Sequence, residues 1–374
     1  MSSQASHAFA VLSGGGTAGH VSPALAVAQA LVDRGHDKSD VWFAGSDDGM
    51  ERELVPAAGY SLVTFPVWNF PRRVTPRHVV AVVRMGLGVV EAMRFVRRSK
   101  ARCVVSFGGF ASVPPVLAAR VWRVPVVVVS YDAIPGSASK LASRWAKACA
   151  VAFADSPLPN KVFTGAPVRD DIAAVERRRD RSRARLALGI GDERFCVLVV
   201  GGSLGAGRLN DAVRAVVASH RDRTDLAIRH VVGARFESAA VAAQPSLTGE
   251  NGLLYQVVGY EDRMDLAYAA ADMIVCRAGA NTVHEVATVG IPAVFVPWSG
   301  AAHDEQTANA KALSSRSAAR LIADGDFDGD RLATEIERAL SDRHGLEMMG
   351  DAARQFALPD AADRIAALID KVAR

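Results

Sequence analysis

Twice in this chain a short apolar run breaks into a glycine-rich turn and then into a helical pattern, and that repetition limits the possible folds more than any other feature. Residues 9–12 lead into SGGGTAGH, after which Pro23 opens a helix over residues 24–34. Residues 196–200 lead into GGSLGAG and a helix over 209–219. The same rhythm recurs inside each half. Residues 103–106 precede Phe107, Gly108, Gly109 and Phe110, and residues 273–276 precede a loop at 277–281, a helix at 282–289 closed by Gly290, and a strand at 291–298. Fully apolar strands alternating with helices predict α/β architecture with parallel sheets covered on both faces. Ligands of such sheets bind at the carboxyl ends of the strands, here expected in a cleft between two nucleotide-type domains.

A chain of 374 residues, half of them hydrophobic, suffices for two cores. The boundary is expected near the basic stretch 177–185, read as a solvated connector: residues 1–170 form the first domain, 171–354 the second, and the amphipathic segment 355–374 packs back on the first. Lys and Arg total 44 against 40 Asp and Glu, so no global field argues for nucleic acid as a partner. Cys103, Cys149, Cys196 and Cys276 sit mostly within apolar runs with no CxxC pair, which implies neither disulfides nor zinc. The opening residues have no signal-peptide character, and a cytoplasmic location is the expectation.

The densest chemistry lies in residues 271–310. Thr282 and Glu285 have capping-box spacing, which leaves the other amide groups of that helix start for an anion such as a diphosphate. Glu285, turned aside, would accept hydrogen bonds from a ribose diol. Capping alone explains the pair about equally well. His20 at the first helix is a candidate general base, since imidazole titrates near neutrality, or else simply bonds its loop. Gly14, Gly16 and Gly19 also satisfy GxGxxG, and a dinucleotide site would use Asp47 or Asp48 as its ribose acid. Asp324, Asp326, Asp328 and Glu335 have calcium-loop spacing, but the preceding segment reads as a strand, and Asp330 capping a helix at 331–340 is the plainer account. Residues 79–90 are almost wholly apolar and read as a helix buried against the sheet; with Arg84, Arg97 and Arg98, the alternative is a face lying on an anionic membrane. Lys140, Arg144 and Lys147 are read as one face of a later helix.

These residues taken together resemble the MurG family. The likeness rests on GGGTAGH with Pro23, the FGGF turn, GAPVR at 165–169, GGSLGA, and CRAGANTVHEVATVGIPAVFVP followed by EQTANA. The resemblance implies a GT-B fold, two Rossmann-like domains with parallel sheets facing across a cleft. It implies inverting, metal-independent transfer of N-acetylglucosamine from UDP-N-acetylglucosamine to a lipid-linked muramyl-pentapeptide acceptor in peptidoglycan synthesis, with no cofactor. It places the enzyme peripherally on the anionic inner face of the cell membrane. Carried over by position, His20 is the base, with Thr17, Ala18 and Gly19 beside it. Arg169 and Ser203 contact the nucleotide sugar, Tyr260 lies by uracil, Ala280, Asn281 and Thr282 cradle the diphosphate, Val283 and His284 belong to the same substrate-binding stretch, Glu285 holds ribose and Gln306 the sugar hydroxyls. Asp132 also belongs to the substrate site. Where the family carries His-Glu-x-Asn, this chain has Val129, Ser130, Tyr131 and Asp132. That departure leaves open a diverged transferase acting on another acceptor, or a non-catalytic binder of UDP-sugars.

Overall fold

The computed structural model describes residues 7–67, 77–202, 205–247 and 252–373. The aromatic and basic loop at 68–73 and the residues Ser203 and Leu204 lie outside them. The chain divides into two units, residues 1–169 with 358–374, and residues 170–357.

In the first unit the apolar runs become β1 (Ala10–Ser13), β2 (Val41–Ser46), β3 (Ser61–Phe65), β4 (Cys103–Ser106), β5 (Val126–Ser130), β6 (Ala148–Val151) and β7 (Lys161–Phe163). All pair in parallel, in the order β3-β2-β1-β4-β5-β6-β7. The second unit holds β8 (Phe195–Val200), β9 (Leu226–Val231), β10 (Leu254–Val258), β11 (Met273–Cys276), β12 (Ala293–Phe295) and β13 (Arg320–Leu321). Its order is β10-β9-β8-β11-β12-β13, again all parallel. Strands β1, β4, β5, β6 and β11 are buried at every position, because helices cover both faces. Helix Ala361–Val372 lies against helix Ala18–Asp33 in the first unit, where Arg34 pairs with Asp363 and Asp370 at 2.9 Å and His36 reaches Asp370 at 2.7 Å.

Several local expectations are corrected. The first helix begins at Ala18, so Pro23 stands inside it instead of opening it. Residues 77–98 do form one helix, but Val80, Val82, Val83, Leu87 and Val90 are exposed while Ala81, Ala92 and Val96 are buried. Its apolar surface is therefore only partly covered by the sheet. Helix Ser137–Ser143 ends before Lys147, so that lysine shares no helical face with Lys140. Asp328, not Asp330, caps helix Gly329–Ser341 by accepting from the Arg331 amide. Two of the four carboxylates with calcium-loop spacing are engaged by guanidinium groups, Asp324 by Arg277 and Glu335 by Arg320 and Arg331.

The basic stretch is no solvated connector. It forms helix Arg177–Leu188 within the second unit, and the Arg185 side chain has 0% exposure. Its guanidinium donates to the carbonyls of Ala270, Gly191, Asp192 and Arg194 at 2.8–3.1 Å and to Asp272 Oδ2 at 2.8 Å. The same Asp272 oxygen accepts from the Cys196 amide at 2.7 Å. One buried charge pair thus ties the amino ends of β8 and β11 to the helix that precedes them. Removing one member of a buried, fully bonded pair leaves the other charge desolvated. Arg185→Ala should cost about 3–5 kcal/mol, read as a lower urea midpoint with an unchanged slope; an unmoved midpoint would show that the pair carries no stability.

Candidate functional site

A parallel sheet whose strand order reverses leaves a crevice at the carboxyl ends of the two strands beside the reversal. In the first unit those strands are β1 and β4, and in the second β8 and β11. The glycine turns of the sequence fall at these four strand ends: residues 14–16, 107–110, 201–202 with 205–207, and 277–279.

In the first unit, helix Ala18–Asp33 starts directly on the turn after β1, with Thr17 extended at its N-cap and no side-chain cap. Ala18, Gly19 and His20 form the first turn. Thr17 Oγ1 and His20 Nδ1 lie 3.2 Å apart. The imidazole rests on the turn after β4, where Gly108 and Gly109 have φ of +86° and +73°; a β-carbon at either position would stand 3.5–3.6 Å from ring atoms of His20. The left-handed backbone is what calls for glycine at both positions, while the ring distances are ordinary van der Waals contact. Burial lowers the His20 pKa, and the negative charge of Glu51 opposes that shift.

Glu51 did not stand out in the sequence. Its side chain is buried, accepting from the Gly16 amide at 2.9 Å, the Ser46 amide at 2.6 Å and the Ser46 hydroxyl at 2.8 Å. A β-carbon on Gly15, Gly45 or Gly49 would collide with its carboxylate. Those three glycines form a cradle, and the carboxylate fixes the turn that leads into His20. Asp47, the residue a dinucleotide site would need, pairs with Arg84 at 3.1 Å. After β5 come Tyr131 and Asp132; the buried Tyr131 hydroxyl donates to the Gly19 carbonyl at 2.9 Å and lies 3.3 Å from that of Phe107. Arg169 ends the first unit, at its boundary with the second.

In the second unit two helices begin at adjacent strand ends without side-chain caps, Gly207–Ser219 after β8 and Ala280–Val289 after β11. A helix start without a side-chain cap is suited to anions. The expected capping box is corrected: the cap is Gly279, three residues earlier than the spacing predicts, and Thr282 lies inside the first turn. Glu285 instead accepts from the Tyr268 hydroxyl at 2.9 Å, which holds its carboxylate by a partner 17 residues back. Val283 is fully buried, and His284 is buried and stacked on Phe356 at 5.9 Å, so neither side chain lines the turn; only their backbone does. Ala280 is likewise buried, while Asn281 and Thr282 are half-buried. Arg277 closes the loop by donating to Val296 O at 2.9 Å and Asp324 Oδ1 at 2.6 Å. Gln306 Oε1 accepts from the Trp298 amide at 2.9 Å, and Tyr260, in the turn after β10, is 54% exposed. Ser203 lies outside the described residues. Behind the first helix start, His230 is buried between Tyr255 Oη and Asn210 Oδ1 at 2.9 and 3.0 Å, and Asn210 donates to Val232 O at 3.1 Å. A further cavity, lined by Met273, Pro292, Arg320, Glu335, Arg338 and Met349, sits at the amino ends of β11 and β12, away from the glycine turns.

Residues 10–151 match the Glycosyltransferase family 28 N-terminal domain and residues 196–365 the Glycosyltransferase family 28 C-terminal domain. A protein of Streptomyces avermitilis named UDP-N-acetylglucosamine--N-acetylmuramyl-(pentapeptide) pyrophosphoryl-undecaprenol N-acetylglucosamine transferase is 39% identical over 360 residues, which is 96% of this chain and 97% of its own. A protein of the same name from Clavibacter sepedonicus is 40% identical over 364 residues, 96% of this chain and 95% of its own. The crystal structure of MurG from Acinetobacter baumannii superposes with a TM-score of 0.74 at 32% identity, covering 98% of this chain and 99% of that one. A UDP-GlcNAc 2-epimerase from Neisseria meningitidis, at 12% identity and a TM-score of 0.67 over 97% and 99% of the two chains, shares the fold alone.

The electrostatics around His20 give a titration with a definite sign. Because burial disfavours the imidazolium, His20 should release its proton below pH 6.5, the ordinary histidine value, and be neutral at pH 7. Replacing Glu51 by Gln removes the charge that favours the imidazolium, so in Glu51→Gln the midpoint should fall further. Carbon-13 NMR of the imidazole in the whole protein reads both; a midpoint that rises in Glu51→Gln would reverse the assigned sign.

Proposed function

The chain belongs to the MurG family of family 28 glycosyltransferases, and from that premise we propose that it transfers N-acetylglucosamine from UDP-N-acetylglucosamine to a lipid-linked muramyl-pentapeptide diphosphate, with inversion at the anomeric carbon. The observation that carries this reading is full-length similarity at 39% identity to a transferase named for that reaction. The paired glycine turns supply the groups such a reaction needs.

His20 takes the proton of the acceptor hydroxyl. With Nδ1–H donating to Thr17 Oγ1, the basic lone pair belongs to Nε2, and a neutral imidazole at pH 7 is in the form able to accept. The attacking oxygen then displaces UDP from the anomeric carbon, and negative charge develops on the leaving diphosphate. The amide groups opening helices Gly207–Ser219 and Ala280–Val289, with the charge of Arg169, take up that charge where a metal would otherwise serve. Glu285, oriented by Tyr268, accepts from the ribose hydroxyls, Tyr260 stacks on uracil, and the amide nitrogen of Gln306 serves the sugar hydroxyls. Asp132 belongs to the acceptor side of the first unit, and Ser203 to the donor side of the second.

The acceptor is anchored in lipid, and the first unit offers a surface for it. Val82, Val83 and Leu87 of helix Arg77–Arg98 are more than half exposed, and Val121 and Trp122 of the neighbouring helix are exposed too. The Arg97 guanidinium lies 5.0 Å from the Trp122 ring centroid, and Arg94 and Arg98 are exposed nearby. Apolar side chains rimmed by arginine suit the interface of an anionic bilayer. No helix among the described residues is long and apolar enough to cross a membrane. We assign this face to peripheral attachment at the cytoplasmic side.

Removing the base should suppress turnover and spare the donor site. His20→Ala is expected to lower acceptor-dependent UDP release by about 100-fold or more while UDP affinity stays within about twofold, with a chelator present throughout; unchanged turnover would remove His20 from the role. For the docking face, Val83→Glu with Leu87→Glu should abolish co-sedimentation with phosphatidylglycerol vesicles. Turnover of a short-chain soluble acceptor should persist in that variant, and undiminished vesicle binding would rule this face out.

A further inference from the structure

Pro23 stands in the sixth position of helix Ala18–Asp33. A proline there has no amide hydrogen to give the carbonyl four residues back, and its ring crowds that carbonyl. The carbonyl in question belongs to Gly19, the residue before His20. The Tyr131 hydroxyl donates to this same oxygen at 2.9 Å. Tyr131 follows β5 and is only 5% exposed. Its hydroxyl is also 3.3 Å from the carbonyl of Phe107, which leads into the Gly108–Gly109 turn on which the imidazole rests.

From this juxtaposition we infer that Tyr131 is a positioning residue for His20, its phenol replacing the helical donor that Pro23 lacks and locking the first turn of the helix to the turn after β4. The inference rests on the assignment of His20 as the base. It also gives a function to a position within the segment 129–132, where this chain departs from the family's pattern. A misplaced base loses rate steeply, because proton transfer needs the acceptor atom held within hydrogen-bonding reach. Burial holds the phenol pKa well above its ordinary value, so the hydroxyl remains a donor across the working pH range. Apart from Arg169, the groups assigned to the donor lie in the second unit and Tyr131 in the first, so loss of the clamp should fall on kcat and not on donor affinity.

The test is a double-mutant cycle on the full chain. Tyr131→Phe keeps the ring and removes only the hydroxyl. Pro23→Ala returns an amide hydrogen at residue 23, able to serve the Gly19 carbonyl. Two readouts are followed: hydrogen exchange at the amides of Val21, Ser22 and Ala24, and acceptor-dependent UDP release. Tyr131→Phe should speed exchange severalfold and lower kcat about tenfold, with KM for UDP-N-acetylglucosamine within about twofold. In the Pro23→Ala background, adding Tyr131→Phe should change both readouts much less. Unchanged exchange in Tyr131→Phe overturns the clamp, and faster exchange with unchanged kcat overturns its positioning role. Equal losses in the two backgrounds overturn the link to Pro23. A wild-type protein that releases no UDP with acceptor refutes the assigned reaction, and the exchange comparison then judges the clamp by itself.

Discussion

Parallel pairing governs both units. Strands that run in one direction must be joined by crossovers, and crossovers of one hand cover a face of the sheet as long as the chain keeps moving toward the same edge. In each unit the chain starts in the middle, builds to one edge, returns, and builds to the other. The return opens a gap at the carboxyl ends of β1 and β4, and of β8 and β11, that no helix fills. The helices that begin there, at Ala18, Gly207 and Ala280, carry no side-chain cap, which suits their starts to an anion. The glycines follow from this: at Gly108 and Gly109 the chain turns with positive φ under an imidazole ring, and at Gly205 a β-carbon would meet the carbonyl of Val232.

Two buried charges stiffen that arrangement from opposite ends of the strands. Arg185 lies at the amino ends of β8 and β11 and directs its donors to four carbonyls and Asp272. Glu51 lies at the carboxyl end of β1 and collects two amides and a hydroxyl. Each charge is costly to desolvate and is stable only because its surroundings are complete, so each specifies one local geometry more sharply than apolar packing would. They differ in what they touch. Arg185 secures the frame, whereas the negative charge of Glu51 favours the imidazolium form of His20.

The architecture was legible because it depends on local pattern: apolar runs ended by glycine, followed by helical periodicity. What escaped was set by partners distant in sequence. The helix starts at Ala18 and Ala280 were each placed too late, because Pro23 and the Thr282–Glu285 spacing are good local start signals. The helices begin instead after Thr17 and Gly279, both extended and neither capping through a side chain, so no local cap signal marks them. The arginine run at 177–185 read as solvated because nothing nearby announces Asp272, 87 residues on from Arg185. Glu51 was unremarkable as one acid beside Asp47, Asp48 and Glu53. Its cradle is assembled from the turn after β1, the end of β2 and the turn that follows β2. Among the site residues, their membership of the crevice-lining turns was readable for Thr17, His20 and the stretch from Ala280 to Glu285. The inward burial of Val283 and His284 was not, since a helix start gives no sign of which face meets the core.

The cradle around Glu51 ties four positions into one heritable unit. Gly15, Gly45 and Gly49 lack the left-handed φ that usually demands glycine. They are small because the carboxylate occupies the space their β-carbons would take. A lineage that shortened residue 51 would release all three glycines to become alanine, and would lose the anion under the turn in the same step. A lineage that first enlarged any one of the glycines would have to displace the carboxylate and unseat the turn before His20. Drift at these four sites is therefore ordered: the glutamate must go first, and only in a descendant whose histidine no longer depends on its charge.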